Sequence, residues 1–162
     1  MLTLVLVRHA KSDWTEPALA DHDRPLNARG RRDAPAKARK FAELNTSGSI
    51  LPIERIISST ATRARTTAAE FATALALADE HQFSLDHELY LASAEELSAA
   101  AAHSRVSAVL LVAHDPGITE LASRLSAGEI DRMPTCAVAM FNFHADDWQE
   151  VNWSRADTWN RL

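Results

Sequence analysis

The amino-acid sequence predicts an α/β protein, a three-layer α/β/α sandwich around a mostly parallel central sheet. Two observations carry this. Residues 2–7, 55–57 and 106–112 are short stretches rich in Val, Leu and Ile, near-continuous in the way of strands buried on both faces. Between and after them, residues 27–44, 62–78, 93–103 and 118–125 show apolar spacing or start signals of helices. Strands alternating with helices fold as layered α/β domains.

Residues 2–7 are too few for an amphipathic helix and end in Arg8, His9 and Lys11. The run lacks the basic flank and the small-residue cleavage site of a secretion signal, so it reads as a buried strand. In open α/β sheets ligands bind beyond the carboxyl ends of strands, where Arg8 and His9 sit. Residues 12–28 form a polar loop with Trp14, Pro17 and the cluster Asp21-His22-Asp23-Arg24-Pro25-Leu26. Loops this long in compact domains are often functional. Trp14 is expected to pack the loop, and Asp21 and Asp23 to order it by pairing with Arg24.

The helix over 27–44 puts Ala34, Ala38, Phe41 and Ala42 on one face. Pro35 predicts either a kink or a start near Asp33, with proline in the first turn. Residues 45–52, with Asn, Ser, Gly and Pro, form a turn. The strand at 55–57 runs into Ser58, Ser59 and Thr60, and Thr60 or Thr62 is expected to cap the next helix. That helix turns Ala64, Ala68, Phe71, Leu75 and Ala78 inward. Arg63, in or beside its first turn, adds a planar donor fork to free backbone N–H groups, which favours an anion such as phosphate. Residues 83–85 read as an edge strand and 86–90 as a loop. Ser93 and Glu96 form a capping box. The strand at 106–112 ends in His114, Asp115 and Pro116, and residues 137–143 and 150–153 read as two last strands joined across 144–147.

The 162 residues are expected to form a single domain, 1–162. Cys136 is the one cysteine and cannot form an internal bridge. With no apolar run long enough to span a bilayer, a cytoplasmic protein without a membrane partner is expected. The net charge of −5 argues against nucleic acid as a partner. Residues 1–65 hold 12 of the 17 Lys and Arg against 7 acids, whereas 66–162 hold 5 against 15. A positive field around Arg8 and His9 suits a small anionic ligand, although the run from Arg29 to Lys40 reads mainly as a solvated helix face.

Three strand ends therefore carry Arg8-His9, Ser58 to Arg63, and His114. Phosphoryl transfer needs a nucleophile in line and positive charge around the equatorial oxygens. A histidine can be that nucleophile, through a phosphohistidine intermediate. Arg8, Arg63 and His114 can supply the charge, so neither metal nor cofactor is expected.

The segments Leu6-Val7-Arg8-His9-Ala10-Lys11-Ser12, Asp21 to Leu26 with Gly30, Ser58-Ser59 with Arg63-Ala64 and Thr67-Ala68, and Leu110 to Gly117 resemble the histidine phosphatase superfamily. More narrowly, they look like its SixA-type phosphohistidine phosphatase branch. The resemblance implies a phosphoglycerate mutase-like fold, His9 as nucleophile, and Arg8, Arg63 and His114 as the phosphate pocket. It matches Glu88 to the family's acid or base. The implied substrate is a phosphohistidine protein or a small phosphoester, and the product inorganic phosphate.

The sequence departs from the pattern at Ala10, Thr60, Ala113 and Asp115, where glycine, proline, glycine and asparagine are frequent. Asp115 is expected to raise the pKa of His114 and to repel phosphate. Expelling an alkoxide needs a proton donor, whereas imidazole leaves readily near its own pKa of about 6.5, so Glu88 need not act on phosphohistidine. Two other classes fit less well. A metal-dependent hydrolase built on His9, Asp21, His22, Asp23 and His114 lacks ligand spacing, and a silent phosphate-binding module would not require a nucleophile.

Overall fold

A computed structural model of the protein describes residues 1–48, 50–77 and 79–162. Ala78, expected on the inner face of the second helix, and Ser49, in the expected 45–52 turn, lie outside the described residues. In chain order the elements are β1 (Leu2–Arg8), α1 (Ala28–Thr46), β2 (Arg55–Ser59), α2 (Thr62–Leu75), β3 (Phe83–Asp86), α3 (Ala94–Ala102), β4 (Ala108–Ala113), α4 (Gly117–Leu125), β5 (Val138–Phe143) and β6 (Thr158–Arg161), with 3-10 turns at Asp21–Asp23, His87–Leu89 and Trp148–Glu150.

The sheet has the order β3-β2-β4-β1-β5-β6. β1 pairs in parallel with β4 and antiparallel with β5. β2 is parallel to both β3 and β4, and β6 is antiparallel to β5. Leu2, Leu4 and Leu6 pack in one core cluster with Leu97 of α3 and with Ile118 and Leu121 of α4. Val5 and Val7 pack in the other, with Phe41 of α1 and Phe71 of α2. Successive side chains of a strand face opposite ways, so with helices covering both faces the positions from Leu2 to Val7 are apolar except Thr3, whose buried hydroxyl donates to Asn142 Oδ1 at 2.8 Å. The fold is the expected α/β/α sandwich. Among the described residues no helix is long and apolar enough to cross a membrane.

Several local expectations are corrected. Pro35 does not start α1: the helix runs from Ala28, with Asn27 as its cap, and continues past the proline, the Asn27 side chain accepting from the Gly30 N–H at 2.9 Å. Gly30, Ala34, Ala38 and Phe41 form one buried stripe across the proline, and that burial outweighs the one backbone hydrogen bond the proline lacks. Neither Thr60 nor Thr62 caps α2. The cap is Ala61, without a side-chain bond, and Thr62 is the first helical residue. The capping box of Ser93 and Glu96 forms as expected.

Residues 150–153 are not a strand. Trp148 and Trp153 stack 5.8 Å apart, and both pack on Phe143, so the apolar signal there is a loop closing the core. The last strand is β6, beyond a connection longer than the expected turn at 144–147.

Candidate active site

β2, β4 and β1 are adjacent, and their register aligns Ser58 with Val112 and Arg8 with Ala113. The residues that follow these positions, Ser59, His114 and His9, therefore emerge together at the carboxyl edge of the sheet. His9 also donates its backbone N–H to the Ala113 carbonyl at 3.2 Å. The first turn of α1 closes this edge from one side. A Cβ on Gly30 would overlap the Lys11 carbonyl oxygen, so glycine allows the helix to lie directly on the segment after His9. From α2, Thr67 Oγ1 accepts the Ala10 N–H at 3.0 Å and donates to the Arg63 carbonyl at 2.8 Å.

His9 is buried, with Nδ1 2.8 Å from the Ala10 carbonyl oxygen. A carbonyl only accepts, so Nδ1 carries the proton and Nε2 the lone pair. Nε2 accepts from Arg63 Nε–H at 3.3 Å. Burial pushes the His9 pKa down to about 4, and the positive charges of Arg63 and Arg8 add to this against the opposing bond to Ala10. The ring is an unprotonated imidazole at neutral pH, with its lone pair on the outer nitrogen.

His114 is also buried, its ring centroid 5.0 Å from that of His9. Its Nε2 is 2.8 Å from Ser59 Oγ, which accepts the Ala61 N–H at 3.2 Å. With one lone pair of Ser59 so occupied, its hydroxyl proton is free to point at His114 Nε2. Where Ser59 donates, the His114 proton sits on Nδ1, a buried atom with no partner among the described residues; where Ser59 accepts, it sits on Nε2. Burial lowers the His114 pKa to about 3, helped by His9 and Arg63. His114 is thus a neutral hydrogen-bond donor, not the cation expected from the sequence.

Nor does Asp115 raise the His114 pKa. Its Oδ2 pairs with Arg8 Nη1 at 2.7 Å, and its Oδ1 accepts from Thr119 Oγ1 at 2.6 Å, so its charge is neutralised locally. Its upward pull is felt at His9, where it is the smallest influence. Arg8 Nη1 also donates to the Met133 carbonyl at 2.8 Å.

Arg63 is held by the loop after β1. Its Nη1 donates to the Asp21 carbonyl at 2.6 Å and its Nη2 to Asp21 Oδ2 at 2.9 Å, and the same Oδ2 accepts from Tyr90 Oη at 2.7 Å. Partial burial works to raise the Asp21 pKa, but the bonds from Tyr90 and Arg63 outweigh it and hold the carboxyl below its ordinary range. This corrects one expectation: Asp21 pairs with Arg63 rather than with Arg24. Arg24 instead lies over the Trp14 ring at 4.3 Å, within the same loop. Trp14 itself is exposed. Among the described residues no three His, Cys, Asp or Glu side chains are grouped to hold a metal ion.

Four of the five expected site residues, Arg8, His9, Arg63 and His114, are brought together. Glu88 is not. It is exposed and borders a separate groove with Arg55, Leu89, Glu96 and His103. The reason lies in the turn His87–Leu89. In a 3-10 turn residues three apart share a side, so His87, against Thr60 and His22, and Tyr90, against Asp21 and His114, lie together while Glu88 is rotated away. Tyr90 meets His114 edge-on at 5.5 Å. Tyr90 and Ser59 were not singled out by the sequence, although both stand within segments that it marked.

Residues 4–90 match the family model for the histidine phosphatase superfamily, branch 1. The chain belongs to the histidine phosphatase superfamily. It is 31% identical, over 91% of its own length and 69% of the other, to an uncharacterized chloroplastic protein of Arabidopsis thaliana. A candidate phosphohistidine phosphatase SixA from Agrobacterium tumefaciens superposes with a TM-score of 0.75 at 30% identity, covering 88% of this chain and 92% of that one. A protein histidine phosphatase SixA solved with tungstate gives a TM-score of 0.72 at 24% identity, over 99% and 96% of the two chains. This histidine phosphatase therefore sits in the SixA-type branch and has the phosphoglycerate mutase-like fold.

Proposed function

We propose that this phosphatase removes the phosphoryl group of phosphohistidine in a protein, through a covalent phosphohistidine on His9. The observation that carries the reading is the outer lone pair of His9, unprotonated at neutral pH and fixed by the Ala10 carbonyl between Arg63 and His114. A phosphoryl group entering here takes over the Arg63 Nε–H from His9 Nε2. Arg8, Arg63 and His114 are the donors nearest to its oxygens and would stabilise the charge that shifts onto them in the transition state. His9 Nε2 bonds to phosphorus as the leaving group departs. Water then releases inorganic phosphate and regenerates His9.

The substrate class follows from proton supply. Asp21 is the carboxylate bound to Arg63, and it is held ionised; Tyr90 donates to it, and that bond raises the tyrosine pKa. Neither is a ready acid for an alkoxide. Imidazole, with a pKa of about 6.5, leaves without a proton on the atom bonded to phosphorus. A phosphohistidine peptide should therefore exceed alkyl phosphates in kcat/KM by about 100-fold or more. A small phosphorylated metabolite turning over faster than the peptide would assign the enzyme to esters instead.

A further inference from the structure

A cluster beside this site has no role in the steps above. His22 lies in the turn Asp21–Asp23, Thr60 follows β2, and His87 opens the turn His87–Leu89. Thr60 Oγ1 is 2.9 Å from His22 Nε2 and 2.9 Å from His87 Nδ1. His22 Nδ1 is 3.3 Å from Asp23 Oδ1. A carboxylate keeps the proton on His22 Nδ1, and a hydroxyl has a single proton to give.

Two arrangements keep that hydroxyl proton within the chain. With His22 neutral, Thr60 donates to His22 Nε2 and accepts from His87 Nδ1–H, leaving a lone pair on His87 Nε2. With His22 protonated, His22 Nε2–H donates to Thr60, Thr60 donates to His87 Nδ1, and the proton stands on His87 Nε2. The two differ by one proton. It is stored against Asp23 and released at His87, an exposed residue.

The cluster lies one aromatic ring out from His114. The Tyr90 ring meets His22 edge-on at 4.9 Å and His114 edge-on at 5.5 Å, and it is 6.0 Å from His87. An ester needs its proton on the oxygen bonded to phosphorus. A departing imidazole needs it on the other ring nitrogen, one ring's width farther out. We propose that Asp23, His22, Thr60 and His87 form a proton relay to the remote nitrogen of a departing imidazole, which rests on the phosphohistidine reading above and deepens it.

In the step, a bond forms between His9 Nε2 and phosphorus while the substrate P–N bond breaks. The electron pair of that bond stays on the departing nitrogen. The His87 Nε2 proton moves to the remote ring nitrogen, so the imidazole leaves neutral. Thr60 passes its proton to His87 Nδ1 and takes the one from His22 Nε2, and His22 ends neutral.

The test uses Thr60→Val, which removes the hydroxyl and keeps the shape, and His87→Gln. Each is assayed for kcat/KM on a phosphohistidine peptide and on p-nitrophenyl phosphate, whose phenolate leaves without a proton. The relay predicts at least about tenfold greater loss on the peptide than on the ester in both variants, with Thr60→Ser regaining wild-type selectivity. Equal losses on the two substrates, or none, with labelled phosphate still trapped on wild-type His9, would overturn the relay alone. Wild-type enzyme that takes no label on His9 would overturn the relay together with the reading beneath it.

Discussion

His9 and His114 are neutral at physiological pH because both rings are buried beside arginines, which disfavours a further positive charge. For His9 this leaves free the lone pair that attacks phosphorus in the proposed mechanism, and protonation removes it. Above a folded-state pKa of about 4 the nucleophile is available; below it, activity falls. The acid limb of kcat/KM for p-nitrophenyl phosphate should therefore lie near pH 4, well below the 6.5 of an ordinary histidine. A limb at 6.5 would show that His9 is solvated. For His114 neutrality makes the tautomer decisive, and it goes with the direction of the bond to Ser59. Ser59→Ala should cost about 10- to 100-fold in kcat/KM, the worth of one buried donor, and weaken inhibition by inorganic phosphate in step. The sequence marked His9, Arg8, Arg63 and His114 because each sits at or just after a strand end, where direction follows from the element. It placed Glu88 with them although direction within a 3-10 turn changes with every residue, and only the turn's own register puts Tyr90 against His114 and Asp21 while Glu88 borders a separate groove.

At the scale of elements, the site depends on how closely α1 approaches the segment after β1. Gly30 permits that approach. Alanine gains about 1 kcal/mol of helix propensity over glycine, but its Cβ would meet the Lys11 backbone, which has no rotamer to move. Overpacking of this kind costs about 1–3 kcal/mol. Gly30→Ala should thus lower the urea midpoint and, by displacing Lys11 and with it His9 two residues earlier, lower kcat; an unchanged midpoint would show that the helix end shifts freely. Element ends were legible where side chains carry the signal, as at Ser93 and Glu96. The chain-end reading failed at residues 150–153, since Val151 and Trp153 look the same in a strand as in a loop that seals the core.

For the whole molecule, the layers were legible from the strand and helix alternation, but the strand order was not. Nothing in the pattern of residues 2–7 says that β1 sits between β4 and β5. That placement decides the site, because it sets the ends of β1, β4 and β2 side by side. Charge distribution was legible only in part. Of the basic residues in the first 65, Arg8 and Arg63 serve the site, whereas Arg29, Lys37 and Lys40 border a separate groove with Arg161, and Arg29 and Arg32 pair with Asp33. The positive excess is therefore mostly a helix face, as the bland reading of that run held. At the centre of the site, the His9 nitrogen beside two arginines and a neutral histidine is the proposed nucleophile. The most direct measurement is to mix the enzyme with a labelled phosphodonor, quench within the first turnover and map the label. Acid-labile, alkali-stable phosphate on His9, lost in His9→Ala, is the predicted result. Full turnover with no label on His9 at any quench time would contradict it.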